Sequence, residues 1–368
     1  MANPQFLQNV KGTAMQAPPS DDVLIRREGR AGRITMNRPQ ALNALTHAMT
    51  GRIGEALLAW QDDPGIALVL LDGAGGKALC AGGDVRALHD SRPQGSGFAR
   101  AFWGREYPVN ALIGRYAKPF VAIQDGIVMG GGIGLSGHAR HRIVTERSRL
   151  AMPETGIGLI PDVGGTWLLA HAPGAAGIYL GLTGETMDGA DAIHARFADV
   201  LVPSPAIDRL VERLVDPKGG AVAEVIAAAA QDAGGSRLAA RQTDIDRVFG
   251  KESVEAMLEA LAEAQGDWAQ KTAATLAQKS PKSLKLTLAA VRNARGLGSL
   301  EAALNVEYRL CVRLFEDGEF VEGVRALIVD KDRKPRWSPA RLEDVSPELV
   351  AAYLAPLPAG EELGLKAE

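Results

Sequence analysis

Two acids stand out in the stretch "LAMPETGIGLIPDVGG", residues 150–165. Glu154 and Asp162 are its only charged residues, set among glycine, proline and aliphatic side chains. Burying an ionised carboxyl costs several kcal/mol unless it is paired, hydrogen-bonded or kept neutral. The simplest reading of these residues alone is a turn acid and a helix cap, with Asp162 capping the apolar run "TWLLAHA". The other reading is a pair of carboxyls set in an apolar pocket for acid–base or nucleophilic work.

Two glycine-rich places could serve the same chemistry. In "KALCAGGDVRAL", residues 77–88, Gly82-Gly83-Asp84 follows a strand and precedes a helical pattern. That offers either free backbone N–H groups at a helix start or a tight turn capped by Asp84. In "VMGGGIGLSGHA", residues 128–139, Gly132, Gly134 and Gly137 satisfy G-x-G-x-x-G. The context fits dinucleotide binding poorly: the site lies far into the chain, and no acid for the ribose ends a second strand at the expected spacing. The alternative is again amide donors at a helix start. Two such starts aimed at one oxygen form an oxyanion hole, which contributes about 2.7–4 kcal/mol per donor in acyl chemistry. Other chemistries lack their parts. There is no G-x-S-x-G elbow and no Walker A, and the six histidines show no metal-ligand spacing. Cys80 reads as a small packing residue.

The elements that must hold these residues read as follows. "DVLIRREGRAGRITMNRP" gives two strands about a turn. Met49, Ile53, Leu57 and Trp60 share one face of a helix. "IALVLLDG", "KPFVAIQ", "HRIVTE", "SRLAM" and "ADVLV" read as strands, with helices from about Gly165 to Gly181. After about Pro203 the composition turns to Ala/Leu/Glu/Lys runs with helical period. The organisation expected is a disordered leader over 1–20, an α/β core over 21–203 and a helical region over 204–368, ending in a frayed "PAGEELGLKAE".

The 368 residues carry a net charge of −3, with 46% hydrophobic and 23% charged side chains. That describes a globular chain with a sizeable core and argues against nucleic acid or an anionic membrane as partner. Two distant cysteines suggest reduced thiols. The start lacks a signal core, and no run approaches the ~18 apolar residues of a membrane span. A cytoplasmic location is therefore expected.

Taken together and in order, "MNRPQALNAL", "ALCAGGDV", "GIVMGGGIGL" and "LAMPETGIGLIPDVGG" resemble the crotonase (enoyl-CoA hydratase/isomerase) superfamily. "GREYPVNAL" and "EGVRALIVDKDRKPRWSP" look like its branch that hydrolyses 3-hydroxyisobutyryl-CoA, a thioester of valine breakdown. The resemblance implies an α/β spiral of ββα units with a helical C-terminal region. It implies an acyl-CoA substrate, no cofactor beyond the CoA that arrives with it, and leaves self-association open. By position, the backbone N–H groups of Gly83 and Gly131 become the oxyanion donors. Ala44, Ala81 and Gly82 fall in loops against coenzyme A, and Glu106 matches a substrate-contacting glutamate. Of the two glutamates that act on water in the hydratases, one matches Glu154. The other falls on Gly134, which has no side chain and leaves room for a branched acyl group. Asp162 is an acid the hydrolase branch carries, so Glu154 and Asp162 are the expected catalytic pair. The competing readings are a hydratase or isomerase using Glu154 alone, and a non-catalytic acyl-CoA binder.

Overall fold

The computed structural model describes residues 21–367; the leader expected over residues 1–20 lies outside them. Val23–Glu28 (β1) and Ala31–Met36 (β2) pair antiparallel, with Val23 opposite Met36 and Glu28 opposite Ala31. From β2 onward the sheet is parallel. Its order is β1-β2-β3-β5-β7-β9, where β3 is Leu68–Gly73, β5 Phe120–Gln124, β7 His141–Val144 and β9 Val200–Leu201. The strands β4 (Ala78–Cys80), β6 (Ile127–Met129) and β8 (Arg149–Ala151) form a second, three-stranded sheet. Each of β3, β5 and β7 is thus followed at once by a strand of the smaller sheet. That repeated step is the expected ββα spiral.

Parallel strands are covered on both faces, so they read as unbroken apolar runs rather than alternations. Leu68, Val69, Leu70 and Leu71 are all buried, and Leu68, Leu70, Val121, Ile123 and Ile143 share one core cluster with Leu210 and Leu214. Helix α1 (His47–Gln61) starts at the Thr46 cap, whose hydroxyl accepts from the Met49 N–H, and buries Met49, Ile53 and Leu57.

The chain divides into two compact units made of interleaved segments. One gathers Met1–Gly83, Arg105–Leu150 and Met187–Arg237; the other gathers Asp84–Gly104, Ala151–Thr186 and Leu238–Glu368. After β9 every described element is helical, in keeping with the composition change near Pro203. In the second unit, α2 (Val85–Ser91) is capped by Asp84, which accepts from the Ala87 N–H at 3.2 Å. Trp103, in α3 (Gly97–Gly114), packs edge-on against Phe315 and Phe320, with ring centroids 6.1 and 6.3 Å apart.

The C-terminal segment is not frayed as expected. Leu363 and Leu365 are buried, and Asn305 exchanges two hydrogen bonds with the Leu365 backbone at 2.8 and 2.9 Å. Arg309 and Arg100 add ion pairs to Glu362 and Glu361 at 2.9 and 3.0 Å, so the tail is docked by charge as well as by its leucines. Among the described residues, no helix is long and apolar enough to cross a membrane.

Candidate active site

The glycine loops belong to the unit of the large sheet. Beyond β4, residues 81–83 are strapped to the 42–45 loop: the Ala81 N–H donates to the Leu42 carbonyl at 3.0 Å, and the Leu45 N–H to the Gly82 carbonyl at 2.8 Å. Leu42 and Asn43 both adopt left-handed φ, 49° and 58°. The buried Asn43 side chain holds that turn, accepting from the Arg38 N–H at 2.8 Å and donating to the Ala74 and Ala78 carbonyls at 3.0 and 2.7 Å. Arg38 also donates to the Ala44 carbonyl at 2.8 Å. Ala44, Ala81, Gly82 and Gly83 therefore form one braced edge.

Past β6, Gly130 turns the chain into α4 (Gly131–Ser136), with Gly131 at its head. The first N–H groups of a helix have no intrahelical acceptor, so the Gly131 amide is available to an outside oxygen. A methyl group on Gly131 would fall 3.2 Å from the Gly83 nitrogen and 2.8 Å from the Glu106 Oε1. The structure thus brings Gly83, Gly131 and Glu106 together, and only glycine leaves space between them. One on Gly132 would meet the Cys80 carbonyl oxygen at 2.2 Å, which shows how closely α4 lies on β4. Gly134 is buried in α4, its N–H donating to the Gly130 carbonyl at 3.1 Å. Burial pushes the Cys80 thiol up to about 12, so it is a packing residue and not a thiolate. Glu106 lies on α3, 2% exposed. Asn110, one turn further along α3, is fully buried with neither amide atom paired among the described residues. Each unmade group costs about 1–3 kcal/mol, which a structural residue would not ordinarily carry.

The two acids belong to the other unit. Glu154 opens the one-turn 3-10 helix Glu154–Ile157 behind Pro153 and is buried, with its Oε2 unpaired among the described residues. Burial pushes its carboxyl well above the ordinary range, the Asp162 charge adds to this, and Lys279 opposes it. Asp162 is also buried, followed by Val163 and Gly164 in left-handed conformations, φ 54° and 80°. The two buried acids thus lie near enough for the Asp162 charge to act on Glu154.

At the start of α5 (Gly165–Ala170) the Gly165 N–H donates to the Asp162 carbonyl at 2.6 Å. The amides on either side, those of Gly164 and Thr166, are taken by Glu307 from α8 (Leu300–Glu316), with α6 (Ala176–Thr183) and α7 (Pro281–Ala294) lying between in sequence. Glu307 accepts from the Gly164 N–H at 2.7 Å, the Thr166 N–H at 2.9 Å and the Thr166 hydroxyl. Burial pushes this carboxyl up to about 8. Glu307 therefore clamps the residues just after Asp162. Sequence reasoning passed over it, although a signal existed: Glu307 shares the apolar face of α8 with Leu304, Cys311 and Leu314, all fully buried. A charged residue in that register is costly without a partner.

A family model described as "Enoyl-CoA hydratase/isomerase" matches residues 31–354. The chain is 41% identical over 352 residues to the 3-hydroxyisobutyryl-CoA hydrolase, mitochondrial, of Danio rerio, covering 94% of this chain and 92% of that one. It is 38% identical over 368 residues to 3-hydroxyisobutyryl-CoA hydrolase 1 of Arabidopsis thaliana, covering 96% of each. Among solved structures, a carnitinyl-CoA dehydratase from Mycobacterium thermoresistibile matches with a TM-score of 0.90 at 44% identity, covering 95% of this chain and all of that one. An enoyl-CoA hydratase from Rhodobacter sphaeroides 2.4.1 matches with a TM-score of 0.88 at 43% identity, covering 94% of this chain and all of that one. With the fold, the braced glycine amides and the buried acid pair in place, these matches establish that the chain belongs to the enoyl-CoA hydratase/isomerase family.

Proposed function

We propose that the protein hydrolyses 3-hydroxyisobutyryl-CoA to 3-hydroxyisobutyrate and CoA. The observation that carries this reading is the buried pair of carboxyls, Glu154 and Asp162, in a chain about 40% identical to hydrolases of that name. The Gly83 and Gly131 amides polarise the thioester carbonyl and stabilise the oxyanion as the acyl carbon becomes tetrahedral. Glu154 is the base: it takes a proton from the attacking water, and the proton is returned to the sulfur as the carbon–sulfur bond breaks. Direct attack by the same carboxyl, through an acyl anhydride that water then opens, gives the same products. Asp162 shares a proton with Glu154 and orients the water or the hydroxyacyl group.

Glu106, beside the amide pair, accepts a hydrogen bond from the 3-hydroxyl. Ala44, Ala81 and Gly82 border the thioester arm, and Gly134 leaves space for the branched acyl group. All these roles fall to protein groups, with CoA entering as part of the substrate. The cytoplasm is the compartment in this reading, although the vertebrate relatives' names place those proteins in mitochondria.

A second reading, hydration or isomerisation of an enoyl-CoA, is favoured by the names of the two structural neighbours at 43–44% identity. Incubation with 3-hydroxyisobutyryl-CoA and with crotonyl-CoA separates the two. Release of free thiol from the first substrate is the expected result. Loss of conjugated absorbance from the second, without thiol release from the first, overturns the proposal. In single-turnover reactions run in oxygen-18 water, label appearing in the Glu154 carboxyl identifies the anhydride route.

A further inference from the structure

Lys279 is used by none of the roles above. It is half-buried, and among the described residues its ammonium makes no ion pair or hydrogen bond. Lys282, one turn later, is tied to Asp317 instead. The Lys279 Nζ occupies a slot between two glycines: a methyl group on Gly156 or on Gly184 would lie 3.4 Å from it in either case. Gly156 belongs to the Glu154–Ile157 turn itself, and Gly184, at φ 67°, closes α6.

The backbone beside Lys279 is fastened to the same turn. The Ser280 N–H donates to the carbonyl of Thr155, the residue after Glu154, at 3.2 Å. The Ser280 hydroxyl caps α7 through the Ser283 N–H at 3.0 Å and donates to Glu319 at 2.5 Å. Lys279 therefore has little freedom to move away from the acid turn. The charged groups that act on Glu154 are Asp162 and Glu307, both acidic, and Lys279. Burial pulls the Lys279 ammonium below its ordinary range, while the Glu154 and Glu185 charges favour its protonated form.

Resting on the hydrolase reading of the acid pair, we infer that Lys279 is a positioning residue whose charge keeps Glu154 available as a proton acceptor beside two other carboxyls. A neighbouring opposite charge favours the ionised form of a carboxyl. Removing the cation must then raise the proton affinity of Glu154, and the variant must lose activity at the acid end while keeping it at the alkaline end. A residue that merely packs would lower activity at every pH alike.

The test compares the parent with Lys279→Met and Lys279→Arg, with Lys279→Gln in reserve should Lys279→Met fail to fold. Two quantities are read across pH: kcat/KM for thiol release from 3-hydroxyisobutyryl-CoA, and the titration midpoint of the Glu154 side-chain carbon. The midpoint comes from NMR of protein carrying carbon-13-labelled glutamate, the resonance being assigned by its loss in Glu154→Gln. In the neutral variants both the midpoint and the acid limb should move to higher pH by about one unit, an approximately tenfold loss on that limb. Activity returns at alkaline pH, and Lys279→Arg stays with the parent. An unmoved midpoint in a folded neutral variant, or an equal loss at every pH, overturns the inference. If the parent releases no thiol, the hydrolase reading fails while the NMR midpoint still decides what Lys279 does to Glu154.

Discussion

Around Gly83 and Gly131 the proposed donors are main-chain amides, with the Glu106 carboxyl beside them, and what the fold must do there is keep Cβ atoms out of the space between. Around Glu154 and Asp162 the working groups are carboxyls, and the fold must hold Glu154 where burial and the Asp162 charge both discourage it from ionising. The first region is braced by main-chain bonds and the buried Asn43 amide. The second is braced by Glu307 from a helix far along the chain. Amides carry no titratable proton in the working range, whereas the acids do. Sensitivity to added atoms should therefore belong to one region, and sensitivity to pH and to lost charge to the other.

The largest effect tests the acid side. Glu154→Gln should lower thiol release about 10³-fold, as general-base catalysis is worth about 10²–10⁴. A variant keeping a tenth of the parent rate would break the assignment. Gly131→Val should cost about 10²–10³ in kcat through loss of one oxyanion donor, with the shape of the pH profile unchanged. A shifted profile in that variant would erase the contrast between the regions.

Glu307→Gln comes next. The Glu307 carboxyl sits at about 8 in the folded protein, above its unfolded value, so the folded state holds the extra proton between the two values. Its stabilising contribution is therefore complete below the ordinary carboxyl range and is lost as pH rises toward about 8. Urea unfolding of the parent should weaken over that window. The variant should show a flatter pH dependence and lose about 1–3 kcal/mol at low pH, because one amide clamp goes unpaired. The smallest effect is Gly104→Ala. No heavy atom lies within 4 Å of the added methyl, and the glycine sits inside α3. Stability should rise by about 0.5–1 kcal/mol with turnover unchanged, which separates the glycines that matter from those that do not.

The parallel strands were legible because burial on both faces writes unbroken apolar runs such as "IALVLLDG". α1 was legible because one face is buried and the period is 3.6. The glycine loops were legible by type and order, but that Glu106 stands between them needed the fold, since contact across chain segments leaves no local mark. The Glu307 clamp was illegible for the same reason: the Gly164 amide is claimed by a residue 143 positions away. The docked tail was missed because only Leu363 and Leu365 carry apolar area there, too few to show a period.

The long reach of the Glu307 clamp has a consequence for synthesis. Glu154 and Asp162 leave the ribosome early, but the residue that takes the Gly164 and Thr166 amides follows Gly164 by 143 positions. At bacterial or eukaryotic elongation rates of about 5–20 residues per second, that is a delay of roughly 7–30 s. During this interval the nascent chain already carries both acids but lacks the group that clamps the start of α5. Activity should therefore appear late on the elongating chain, after α8 has emerged, and ribosome-bound intermediates stalled before Glu307 should be inert although every proposed catalytic residue has been made.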